Sequence, residues 1–155
     1  MSVEFPSTDW CYYAVRGATL QDVAAAIEHE AEAGKAEWFP RIDYQTDEHG
    51  RLSDVSISVP TRVTLPDWSE YGSASAAEQH EWDRFRYALT THENGHVDLV
   101  QTHLAGIDTR MVGEAKDHGL ALYQQALDAL NSASGAYDSQ TDHGRNNGTV
   151  IDVSN

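Results

Sequence analysis

The sequence predicts an α+β fold, with a small, mostly antiparallel sheet in the first half packed against long helices in the second. Two observations carry this. Val55, Ile57, Val59, Val63 and Leu65 occupy odd positions with mostly polar residues between them, the period-2 pattern of a half-buried strand. After about residue 68 the period changes: Trp82, Phe85, Leu89, His92, His96, Leu99 and His103 recur at spacings of three and four, one stripe of one long helix. At 155 residues the chain is expected to form a single domain over 1–155.

Taken in order, "WCYYAVRG" (10–17) is aromatic and β-branched and stops at Gly17, so it reads as a strand. The stretch 19–34 opens with Thr19 as N-cap and Asp22 three residues on. It puts Leu20, Val23, Ala24, Ile27 and Ala31 on one face and ends at Gly34, which reads as an amphipathic helix. Residues 36–46 read as a strand and 47–50 as a turn. Pro60 has no ladder donor and argues for an edge strand or a bulge within 55–65. Ser75 with Glu78 forms a capping-box signature at the start of the long helix. Gly106 and Gly113 offer breaks, and a further helix is expected over about 114–139, with Leu120, Tyr123, Leu127 and Leu130 near one face. The Asp-, Asn- and Gly-rich tail from 137 reads as loop, with a short strand at "TVID".

Composition narrows the function classes. With 25 acidic and 10 basic residues the formal net charge is −15, which repels phosphate backbones and anionic membrane surfaces and argues against a nucleic-acid partner. No stretch approaches the roughly 20 apolar residues of a membrane span. The single cysteine, Cys11, permits no intrachain disulfide and reads as a small buried strand residue. "MSVEFPSTDW" has neither the basic start nor the apolar run of a signal peptide.

The chemistry concentrates in "HENGH" (92–96). On a helix, positions i and i+4 lie on one face about 6 Å apart. His92 and His96 have that relation, and two imidazoles so placed can converge on one zinc ion. Glu93, one step round the helix, can reach a water in an open coordination position without being a ligand itself, the role of a general base in HExxH hydrolases. Composition alone gives roughly 0.03 chance occurrences of the motif in a chain of this size, so the match is informative. Both histidines also lie in the apolar stripe, where two unpartnered imidazoles are costly and a metal would satisfy both. Gly95 lowers helix propensity by about 1 kcal/mol; either it lets a strand or substrate come close or a long helix tolerates it.

A catalytic zinc usually takes a third protein ligand. His103 lies on the stripe but about 10 Å further along the axis. Glu114, from a second helix, is one candidate. His143, in "YDSQTDHG" beyond the last helix, is another: a returning loop can place it over the first two ligands. Asp138 or Asp142 could then orient a ligand imidazole, and Tyr137 could donate its hydroxyl to an oxyanion.

The chain resembles a family of uncharacterised bacterial proteins described as predicted secreted zinc-dependent proteases. The likeness runs over roughly residues 12–148 through "YYAVRGATLQDV", "LPDW", "EWDRFRYALTTHENGH" and "YDSQTDHG", the last being the more specific element. It implies a zincin-like fold, Zn2+ held by His92, His96 and His143, Glu93 as general base, and a site that includes Tyr137, Asp138 and Thr141. It further implies a peptide or protein substrate, and export from the cell. Zincin-type enzymes bind peptide along an exposed strand edge, for which the Val55–Leu65 strand is the expected candidate. The rival expectation is a non-catalytic, zinc-stabilised binding or inhibitory module whose metal is closed by a fourth protein ligand such as Glu114 or Asp98.

Overall fold

A computed structural model describes residues 1–154, with the element order β1 (Ser2–Glu4), β2 (Asp9–Val15), α1 (Leu20–Glu28), β3 (Lys35–Trp38), β4 (Arg41–Thr46), β5 (Leu52–Ser58), β6 (Thr61–Trp68), α2 (Ala76–Leu104), α3 (Ile107–Met111) and α4 (Lys116–Thr141). The class is α+β, as the two periodicities predict. No helix among the described residues is long and apolar enough to cross a membrane.

The sheet departs from expectation. There are two three-stranded mixed sheets, β1-β5-β4 and β2-β6-β3, in which β1/β5 and β2/β6 run parallel while β4/β5 and β3/β6 run antiparallel. Three chain segments pass from one sheet to the other, and each passes at a proline: Pro6, Pro40 and Pro60. A residue with no N–H cannot continue a ladder, so the two ladders separate there. Bonds across the corner, from Phe39 N–H to the Pro60 carbonyl (2.9 Å) and from Val59 N–H to the Glu4 carbonyl (2.9 Å), keep the segments in register. The expected strands over 36–46 and 55–65 are therefore each split in two. The 55–65 segment is central in both sheets, with Val55, Ile57, Val59, Val63 and Leu65 buried, so it is no edge for a peptide to join. The free edges belong to β2 and β3 in one sheet and to β1 and β4 in the other.

The turn between β4 and β5 is the expected one: the Asp47 carboxylate accepts from His49 N–H (2.8 Å) and Arg51 N–H (2.9 Å), and Gly50 takes φ 74°. Thr19 caps α1, but that helix stops at Glu28, so residues 29–34 form a turn on the surface leading into β3. Ser75 and Glu78 close the capping box of α2, and Glu78 Oε2 also accepts from Leu20 N–H (2.7 Å), so one carboxylate ties the starts of two helices. Cys11 is half-buried on β2 rather than fully enclosed.

α2 runs for 29 residues, about 43 Å. Its first half packs Trp82, Phe85 and Leu89 against Val63, Leu65, Trp68 and the apolar face of α1. Its second half packs Val100 and Leu104 against Leu52, Val55, Ile57, α3 and α4. The buried face drifts from the predicted stripe: Val100 and Leu104 are buried while Leu99 and His103 are half-buried. A 3.6-residue helix rotates away from a strict 3.5-residue stripe by ~20° per heptad, which accounts for the shift. His92, Glu93 and His96 fall between the two apolar clusters.

The last helix, expected over about 114–139, runs two residues later, over Lys116–Thr141, and holds Tyr137 and Asp138 on its final turns. "TVID" is not a strand; residues 149–152 have no ladder partners and bend at Val150. They lie along α2, where Arg84 donates to the carbonyls of Gly148 (2.9 Å) and Val150 (2.7 Å), Glu81 accepts from Asp152 N–H (2.8 Å), and Ile151 enters the first core.

Candidate metal centre

α4 returns antiparallel to α2. The stripe Ser134, Tyr137, Asp138, Thr141 on α4, at spacings i, i+3, i+4 and i+7, brings its polar groups to the middle of α2. His92 Nε2 lies 3.0 Å and His96 Nε2 2.9 Å from the same atom, Asp138 Oδ1. The three side chains form a group whose ligand atoms all lie within 4.8 Å of one another, and which can hold a metal ion. Both histidines are buried, at 4% and 6% exposure. His96 Nδ1 is held by Ser134 Oγ at 2.8 Å, whereas His92 Nδ1 is buried without a partner. Burial, and then the neighbouring His96 ring, lower the pKa of His92, which favours the neutral imidazole that binds metals.

Glu93 is 4% exposed and opens into a cavity of about 840 Å³ that it shares with His92, His96, Asp138 and His143. Burial, reinforced by the carboxylates of Asp138 and Glu32, pushes its carboxyl up to about 8. Gly34, in the turn before β3, lies against it: a Cβ there would come within 3.0 Å of Glu93 Oε1, so only glycine leaves that side of the carboxyl uncrowded.

Tyr137 stands behind the histidines rather than in the cavity wall. Its ring stacks on His92 (centroids 4.8 Å, 13° between planes) and meets His96 edge-on (4.8 Å, 86°). Its hydroxyl donates to the His92 carbonyl at 3.1 Å. Gly95 admits it: a Cβ at that position would collide with the Tyr137 hydroxyl. The close neighbour that the glycine admits is thus a side chain of α4, not a strand.

His143 comes to the rim of the same cavity. Its side chain is mostly exposed, and Nδ1 lies 3.8 Å from Asp138 Oδ2, outside the compact group of three. It is carried on three consecutive left-handed residues, Asp142 (φ 50°), His143 (φ 54°) and Gly144 (φ 84°). Asp, His and Gly are the residue types that adopt this conformation most readily. His143 N–H donates to the Asp138 carbonyl (2.7 Å), and Gly144 N–H donates to Thr141 Oγ1 (3.0 Å), which fixes the turn. Gly144 is pressed against the His92 ring, where a Cβ would come within 2.9 Å.

The other candidates lie elsewhere. Glu114 faces His118 at 3.7 Å, Asp98 is exposed, and His103 is half-buried one end-turn away; none joins the donor group. Sequence reasoning missed Ser134 altogether and gave Asp138 only an orienting role. The signal for both was the α4 stripe, which continues unbroken from Leu127 and Leu130 through Ser134 to Asp138.

A family model described as "Bacterial protein of unknown function (DUF922)" matches residues 10–144. No curated protein and no solved structure matches the chain.

Proposed function

The chain belongs to this bacterial family, and we propose that it is a zinc-dependent metallopeptidase of zincin-like design, with zinc held by His92, His96 and Asp138 and with Glu93 as general base. The observation that carries the reading is the convergence of two buried Nε2 atoms on one carboxylate oxygen, with a second buried carboxyl opening into the cavity beside them. Two imidazoles and a carboxylate are a donor set of catalytic zinc, which keeps a further position open. Asp138 suits the third place better than His143, because its Oδ1 already sits at both histidines while His143 stands at the rim. The closing ligands that a non-catalytic module would need, Glu114 or Asp98, are absent from the group.

When bound, zinc would polarise a peptide carbonyl and bring the pKa of a coordinated water towards neutrality. Glu93 accepts a proton at its carboxylate and returns it to the leaving amine. Ser134 fixes the ring of His96 through Nδ1. Tyr137 acts through His92, as a positioning residue. β3 pairs on one side only and begins at the cavity wall, with Lys35 and Ala36, so its free edge is available to an extended peptide.

The test is elemental analysis of the wild type beside Asp138→Ala and His143→Ala, with chelator-sensitive cleavage of unstructured peptides as the second readout. About one zinc per chain is expected in wild type, lost in Asp138→Ala and kept in His143→Ala. The opposite pattern moves the third place to His143. No metal in any form after reconstitution, or cleavage indifferent to chelator, ends the metallopeptidase reading. Ser134→Ala is expected to keep the fold and weaken zinc affinity by about 10–100-fold, measured by competition with a chromophoric chelator. Unchanged affinity would show that the Ser134 contact does not orient His96.

A further inference from the structure

One wall of the cavity beside the histidines is built by the end of α1 and the turn into β3. It gives an apolar surface from Ala24, Ile27 and Ala31, along which Glu28, Glu30 and Glu32 stand exposed, with no ion-pair partner among the described residues. The turn after α4 and the tail contribute His143, Arg145 and Val150 to the same lining. Of the permanent cations that line the cavity, Lys35 is paired with Glu37 (3.6 Å), and Arg145 forms no ion pair with the glutamates. Within the same cavity the carboxyl of Glu93, 4% exposed, receives no hydrogen bond from any described residue, so a buried polar group without a partner faces the interior beside the rim glutamates. Three adjacent carboxylates on one wall of a cleft attract a cation that enters it.

We infer, on the metallopeptidase reading above, that the cleft takes polypeptide segments carrying Lys or Arg beside the scissile bond. The cationic head is seated against Glu28, Glu30 and Glu32 and the aliphatic stem lies on Ala24, Ile27 and Ala31. The division suits these side chains in particular: they bury their methylene stems on apolar surface while keeping the charged end among polar groups. An acidic or purely aliphatic side chain matches only half of this wall.

The test measures binding and does not depend on turnover. Two fluorescein-labelled peptides, identical except for two Lys in one and two Glu in the other, are titrated by anisotropy against zinc-loaded protein in a Glu93→Gln background, so that none is consumed. The basic peptide is expected to bind at least 10-fold more tightly at low salt. That preference should disappear in the triple variant Glu28→Gln/Glu30→Gln/Glu32→Gln and persist in Asp43→Asn/Glu48→Gln/Asp117→Asn, an equal charge change at exposed positions away from the cavity. Equal loss in both triples would assign the attraction to the overall charge of −15 and overturn the inference, as would no preference in the parent protein. Either failure leaves the zinc content and chelator-sensitive cleavage to judge the metallopeptidase reading. Conversely, a preference confined to the cleft glutamates stands even if no peptide is cleaved.

Discussion

Glu93→Gln is expected to leave one zinc per chain and to lower kcat by about 10²–10⁴-fold, the range a positioned general base contributes. The substitution is nearly isosteric at a buried position next to Gly34, so the fold should be undisturbed. Glu93 is not in the donor group of His92, His96 and Asp138, so metal content should not change. What the amide lacks is the capacity to take a proton at the oxygen facing the cavity. The comparison is made at saturating substrate, with zinc measured on the same preparations. A metal-loaded Gln variant that turns over at the wild-type rate would remove Glu93 from the chemistry. Loss of zinc together with activity would instead make it a structural support of the histidines. The two outcomes separate a proton-transfer role from a scaffolding one, which an activity assay alone would not do.

How much of this was legible in the sequence depends on how local each feature is. The start of α2 was legible because a capping box is a four-residue signal, and the pairing of His92 with His96 because it needs only helical geometry. The sheet was half legible. Alternation identified Val55–Leu65 as a strand with one buried face, but which strands flank it is decided by segments far along the chain. β2 was legible as a strand at 10–17, but β1 left no local trace, and neither parallel pairing could be read locally. Pro60 was read as an edge or bulge signal and Pro40 was given no role; taking both as ladder breaks would have split both strands correctly. The end of α4 was legible to within two residues: about 139 was expected and the helix runs to Thr141, although Asp, Ser, Gln and Gly there favour loop. The meeting of Asp138 Oδ1 with both histidines had no local signal, because it depends on how α4 packs against α2.

The role of Gly95 makes the sharpest structural claim, because two opposing effects act on one substitution. In an unobstructed helix Gly→Ala stabilises by about 1 kcal/mol. Here the added methyl would collide with the Tyr137 hydroxyl and come within 2.6 Å of its ring carbon Cζ. Tyr137 has little freedom to yield: it stacks on His92, meets His96 edge-on and donates to the His92 carbonyl. Overpacking a well-filled site costs about 1–3 kcal/mol, and the displaced hydroxyl forfeits a bond worth about 1 kcal/mol more. The net expectation for Gly95→Ala is therefore destabilisation of about 1–3 kcal/mol, which for a chain of this size lowers Tm by several degrees. Zinc affinity should weaken with it, because the ring of His92 loses its backing. In a Tyr137→Ala background the three atoms nearest the added methyl are gone, and there the same substitution should stabilise by about 1 kcal/mol, reversing sign. Urea unfolding of the four proteins in the cycle measures this directly. A stabilising Gly95→Ala in the wild-type background would mean that Tyr137 can move aside without loss, and that the packing of α4 on α2 does not set the position of the metal-binding histidines.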